Sequence, residues 1–229
     1  MSFVTVLTPQ QIASLSSSDI QEFTTAQIKA LTTAQVPSLS SASIASMSTG
    51  QIVALDLADF AVLTSAQLAG ITTNQLKALG SHQIQALGTA AIPGFTTEQV
   101  ANLSTAQVQA LTSAQVQALQ TQDFAALTTA HLAALSTQQG LGMTTAQLAT
   151  LNSAELGKLS TGFIRGLSTA AIAALGTEQV PGLSTAQLAA WTSSAQIRAL
   201  ETRDLAQLNT TQIKAFSSTQ IEYLSSAQL

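Results

Sequence analysis

Cysteine is absent from the 229 residues, which removes disulfides, thiolate metal sites and cysteine nucleophiles and leaves the redox compartment unmarked. Charge is scarce as well: seven Lys or Arg and eleven Asp or Glu are scattered without a run of one sign. No stripe of basic residues exists for nucleic acid and no polybasic patch for a membrane surface. No stretch approaches the ~18 consecutive apolar residues of a membrane span. The opening "MSFVTVLTPQQIASL" lacks the basic start and unbroken apolar run of a secretory signal peptide. With 46% apolar residues the chain can still bury a core.

What is there instead is a repeat. Stepping by eight from Leu7, through Leu15, Phe23, Leu31 and Leu39 to Trp191, every residue is apolar; after one extra residue in "WTSSAQIRAL" the count resumes at Leu200, Leu208, Phe216 and Leu224. That makes 28 such positions, called station zero here. Station five is a second apolar column, holding Ile12, Ile28, Val36, Phe60, Leu76, Val108, Ile172 and Ile221 among others, and only Gly140 breaks it. None of the eighteen charged residues falls in either column. The two columns read as the inward wall, and the remaining stations as loop or surface.

An eight-residue period does not suit one long helix. Each residue turns ~100°, so an octad rotates the apolar stripe by ~80° and smears it around the circumference. A strand needs alternation, whereas stations zero and five differ in parity and the Ala, Leu and Gln of "TAQVQAL" favour helix. The stations between supply the answer. Station one is mostly Ser or Thr, and station four is Gln in eighteen octads, with acids such as Asp19, Asp59, Asp123, Glu155 and Asp204 in others. That spacing is a capping box, with stations zero and five as its hydrophobic staple. Each octad therefore starts its own short helix.

Pro9 sits at the first helical position, while Pro37, Pro93 and Pro181 share station six, where a helix must stop. Glycines at station seven, including Gly70, Gly94 and Gly142, predict corners with unusual backbone angles. The expected fold is an all-α solenoid of very short helices, one per octad, forming a single domain over 1–229 with repeats from about 7 onward. Irregularities are expected near 135–143, where Gly140 suggests a hinge or local defect, and near 191–200. If opposite sides of a winding stand ~9–10 Å apart, the usual helix-packing distance, four octads make one winding and a three-sided winding looks too narrow.

No chemistry stands out from this background. His82 and His131 occupy stations three and four without partners at metal-ligand spacing, and read as surface or cap substitutions. No Gly-x-Ser-x-Gly elbow or phosphate loop occurs. Asp56 and Asp59 are good helix-start residues, and "RALETRDLAQL" reads as a solvated kink with ion pairs around Arg198, Glu201, Arg203 and Asp204. Phe23, Phe95, Trp191 and Phe216 read as core, whereas Phe163 and Tyr223 are expected to be partly exposed. No catalytic, cofactor or metal residue is assigned, and the chain reads as a non-enzymatic protein.

The clean copy "LSTAQVQALTSAQVQAL" from Leu103 to Leu119 resembles the tandem L-[ST]-T-A-Q-[IVL]-x-A tracts of large, repetitive, secreted or surface adhesin-like bacterial proteins, over about residues 7–229. The resemblance implies export to the cell surface and a structural or adhesive role; without it a cytoplasmic location is the alternative. A rod, spacer or filament element that associates end to end is the expected function. The alternative is a binding module, with Lys77, Glu98, Arg165 and Glu222 on a face that meets a protein or glycan, or a Ser/Thr ladder that meets a lattice such as ice.

Overall fold

The computed structural model describes residues 3–229, and the side chains of residues 4–229. Among them are 24 α-helices of four to six residues and no strand. The chain divides into two compact units, Met1–Leu111 and Thr112–Leu229, and the octad count passes through the division unbroken.

Most of these helices begin as the repeat dictates, the ones after Gln120 and Glu201 being exceptions. In the octad that opens at Phe23, the backbone N–H of Thr24 donates to Gln27 Oε1 at 2.8 Å, and the N–H of Gln27 donates to Thr24 Oγ1 at 3.2 Å. The same reciprocal pair recurs at Ser48 and Gln51, Thr72 and Gln75, and Ser184 and Gln187. A side-chain cap of this kind is worth ~1 kcal/mol, which matters in a helix too short to stand alone. The three station-six prolines stop the helix early: their octads carry 3-10 turns at Val36–Ser38, Ile92–Gly94 and Val180–Gly182.

Lateral packing sets the winding. In the first unit Ser41–Ser46 packs on Ser65–Gly70, and Thr49–Ala54 on Thr73–Ala78; in the second, Ser113–Ala118 packs on Thr137–Leu141, and that helix on Thr161–Gly166. Every one of these pairs is three octads apart, so a winding contains three helices and the expected four is corrected. The distance argument for four borrowed the spacing of long helices, which interdigitate many side chains. Here each octad sends inward only one side chain from the helix and one from the corner before it. Six apolar side chains fill a three-sided winding. From Ile12 to Ile197 the apolar station-five side chains are 2% exposed or less, and the station-zero side chains from Phe23 to Leu208 are 9% exposed or less.

Among the described residues no glycine has a positive φ, so the expected unusual angles are absent. The glycines serve close approach between windings instead. A methyl group at Gly70 would stand 2.7 Å from the carbonyl oxygen of Ser41, and at Gly94 it would run into that of Ser65. Gly94→Ala is expected to lower stability by about 1–3 kcal/mol, the usual cost of overpacking, despite alanine's better helix propensity. Urea unfolding monitored by circular dichroism checks this, and Gly50→Ala, which meets nothing closer than 3.8 Å, is the control that should not destabilise.

Candidate functional site

Polar chemistry concentrates at station four, where the sequence suggests surface. Gln35, Gln51, Gln67, Gln75, Gln99, Gln107, Gln147 and Gln187 are all at most 4% exposed. The capping box uses only their Oε1. Their Nε2 reaches back to the preceding winding: Gln67 donates to the carbonyls of Val36 and Leu39 at 2.7 and 2.8 Å, and Gln107 to those of Leu76 and Leu79 at 2.7 and 2.8 Å. In the second unit Gln147 serves Val116 and Leu119, and Gln179 serves Leu148 and Leu151.

The acceptors explain why an amide is needed. Each corner breaks the helical ladder and leaves a station-zero carbonyl without a backbone donor, buried beside the core. The neighbouring station-five carbonyl already accepts from the corner N–H, as Val36 does from Leu39 at 3.1 Å, and has a lone pair to spare. One buried glutamine therefore caps its own helix, satisfies two carbonyls below and fixes the register of adjacent windings. Glutamate would cap equally well but brings no donor. The eighteen Gln at this station, against one Glu, follow from that difference.

Substitutions at station four show what else can fill the slot. His131 is 4% exposed, so it is a cap rather than a surface residue: its Nδ1 accepts from the Thr128 N–H at 3.3 Å. His82 is exposed, as expected. Phe163, expected to be partly exposed, is fully buried, and the carbonyl of Leu135 that a glutamine there would serve accepts from the Ser160 hydroxyl at 2.7 Å. Gly140 lies one winding below and is buried against the backbone of Phe163 and Gly166. The expected hinge is thus a close backbone contact, in which the missing staple side chain lets two helices approach. Tyr223 is half-buried, and Phe216 is less covered than Phe23, Phe95 or Trp191.

Acids occupy the slot at a cost. Asp59, Asp123 and Asp204 are 2%, 0% and 0% exposed. Asp59 retains one bond, accepting from the Asp56 N–H at 3.1 Å, but neither carboxyl oxygen of Asp123 or Asp204 has a hydrogen-bond partner among the described residues. Burial pushes all three carboxyls above the ordinary carboxylate range; at Asp204 the neighbouring Arg203, 3.9 Å away, opposes this and Glu201 adds to it. Asp19 lies at the opposite extreme. It is exposed, and hydrogen bonds from the Ser16 hydroxyl and N–H hold its pKa below the ordinary value. The charged stretch after the inserted residue carries an ion pair, Arg203 to Glu201 at 2.6 Å, on the surface. Trp191 is buried and donates from Nε1 to the Ile164 carbonyl at 3.0 Å.

No group of three or more potential metal-ligating side chains exists among the described residues, and no helix among them is long and apolar enough to cross a membrane. The arrangement is chemistry for holding windings together. A search of curated proteins returned no match. The ALTTAQ repeat profile, by contrast, matches at 12–49, 21–57, 52–89, 89–121, 116–153, 148–185 and 197–229. These segments cover most of the chain, and the chain belongs to the ALTTAQ repeat family.

Proposed function

We propose that the protein is a non-enzymatic structural element, a rod or spacer whose windings add along one direction and whose ends associate with further copies. The observation that carries this reading is that the buried glutamines, the largest set of buried polar side chains, are committed to contacts within and between windings. The charges that remain are dispersed, with the Lys29–Asp56 pair 4.0 Å apart on the surface rather than gathered at a cavity. Its resemblance to adhesin-like tracts supports an extracellular or cell-surface location.

A spacer tolerates a change of length in whole windings. Duplicating residues 64–87, 24 residues, should preserve helical dichroism and the unfolding midpoint while adding roughly 10 Å to the maximum dimension in small-angle scattering, one helix-packing distance. A particle that thickens without lengthening contradicts the rod. A saturable glycan or protein ligand lost on changing Lys77 or Arg165 favours the binding module, and a hydrolase activity abolished by one substitution overturns the non-enzymatic reading.

A further inference from the structure

Over one whole winding of the second unit the glutamine ladder is missing. Three successive station-four slots hold Glu155, Phe163 and Ala171, so no glutamine reaches down from residues 152–175. The next three slots, Gln179, Gln187 and Gln196, all donate to carbonyls of the winding beneath them, and on the other side Gln147 donates to Val116 and Leu119. At the gap the Glu155 carboxylate accepts from the Asn152 N–H at 2.9 Å and offers no donor. The Leu127 and Met143 carbonyls receive no hydrogen bond among the described residues, although the two residues are only 7% and 5% exposed. The three sides of this seam differ. Thr137–Leu141 lies tightly on Thr161–Gly166, where a methyl group at Gly140 would run into the Phe163 carbonyl and one at Gly166 into that of Thr137. Ser153–Leu156, by contrast, packs on Val180–Gly182 above but makes no comparable contact with Thr129–Ala134 below.

We infer that the seam between residues 128–151 and 152–175 is a hinge: its windings part on the Glu155 and Ala171 sides while the edge of Thr137–Leu141 and Thr161–Gly166 stays closed. Parting there breaks no glutamine bond, whereas parting the next interface breaks those of Gln179, Gln187 and Gln196. It also brings water to two carbonyls that the closed seam leaves unpaired, which offsets part of the apolar surface exposed. The helices on either side keep their own caps, Thr144 with Gln147 and Asn152 with Glu155, so the interface opens without unfolding them. Local opening starts at the least stable contacts of a fold. Gly140 is thus the fixed edge of the movement and not its flexible element. The hinge rests on the spacer reading for its use, giving a spacer one place to bend, and on the seam alone for its existence.

The chain has no cysteine, so an introduced thiol can report the opening. Ala91 and Ala171 both occupy station four and are 0% exposed, but Ala91 sits between Gln83, which donates to Val53, and Gln99, which donates to Leu68 and Ile71. In the full chain, Ala171→Cys should react with a thiol reagent about tenfold faster or more than Ala91→Cys under native conditions. Adding Glu155→Gln, sixteen residues away on another side of the winding, supplies a donor for the Leu127 carbonyl and should slow the reaction of Ala171→Cys several-fold. Equal rates for the two single variants overturn the hinge. A Glu155→Gln change that leaves the rate unaltered also overturns it, since fraying confined to slot 171 would ignore a donor so far away. Helical dichroism shows whether the variants fold. Where one does not, trypsin acting on the unaltered native chain replaces it: cleavage after Lys158, in the hinged winding, should outpace cleavage after Lys77, and equal or slower cleavage overturns the proposal. Failure of the hinge leaves the spacer reading intact, because duplicating residues 64–87 tests length and not bending, and failure of the duplication leaves the hinge standing.

Discussion

Replacing Gln75 with leucine is expected to be among the most destabilising single changes in the protein, although leucine preserves bulk and favours helix. The amide accepts from the Thr72 N–H at 2.7 Å and donates to the carbonyls of Ile44 and Met47 at 2.8 and 2.7 Å. Leucine leaves all three groups without that partner, two of them beside the core. At ~1–3 kcal/mol for the Met47 carbonyl left unpaired, with less for the Ile44 carbonyl, which keeps the Met47 N–H at 3.2 Å, and for the cap N–H, which can find water, the loss is on the order of 2–4 kcal/mol. Gln75→Glu separates the two functions, since it keeps the cap acceptor and removes only the donors. It should cost somewhat less than leucine at low pH and more as the buried carboxylate ionises. Denaturant unfolding of both variants checks the order; if Gln75→Leu costs no more than an exposed substitution, the inter-winding bonds contribute little.

The second large effect has the opposite sign. Asp123→Gln and Asp204→Gln should each stabilise the protein, by about 1–3 kcal/mol, by restoring a donor and removing a buried acid with no hydrogen-bond partner. The pH dependence follows from the direction of the shifts. A carboxyl whose folded pKa is raised binds its proton more tightly in the native state, so its contribution is fully present below the unfolded pKa and is lost as pH rises through the folded pKa. Wild-type stability from these sites therefore declines from the ordinary carboxylate range upward, and the advantage of the glutamine variants grows over the same interval. Asp19 acts oppositely, its stabilisation fading as pH falls through its lowered pKa. Chemical denaturation from acid to neutral pH reads both trends; glutamine variants that gain nothing at neutral pH would show that the two buried acids impose no cost.

Much of this architecture is legible in the residues because capping is local. Thr24, Gln27, Ile28 and Phe23 declare a cap, a box and a staple within one octad, and the structure builds the reciprocal cap and buries both staple residues. The winding number is a long-range property, and nothing within a single octad encodes it. A trace does exist in the glycines: Gly70 and Gly94 are 24 residues apart, as are Gly142 and Gly166, and each pair marks one corner of adjacent three-octad windings in its own unit. Burial of the glutamines is hidden by a complete local explanation, because a capping box accounts for Gln at station four without reference to Nε2. The signal against that explanation is the preference for Gln over Glu, which a cap alone does not require. Phe163 and Gly140 mislead for the same reason. Each looks like a defect in its own octad, and they make sense only as neighbours on adjacent windings.

The absence of cysteine permits a direct test of the three-octad winding. A methyl group at Gly50 would stand 3.8 Å from Cγ2 of Thr25, 25 residues earlier, so side chains at the two positions touch, as a disulfide requires. Under mild oxidation the pair Gly50→Cys and Thr25→Cys should cross-link rapidly and almost completely within one chain. Gly50→Cys with Ser17→Cys, eight residues further away, should not. Cross-linking of the second pair in preference to the first would contradict the three-helix winding and, with it, the glutamine ladder that holds one winding on the next.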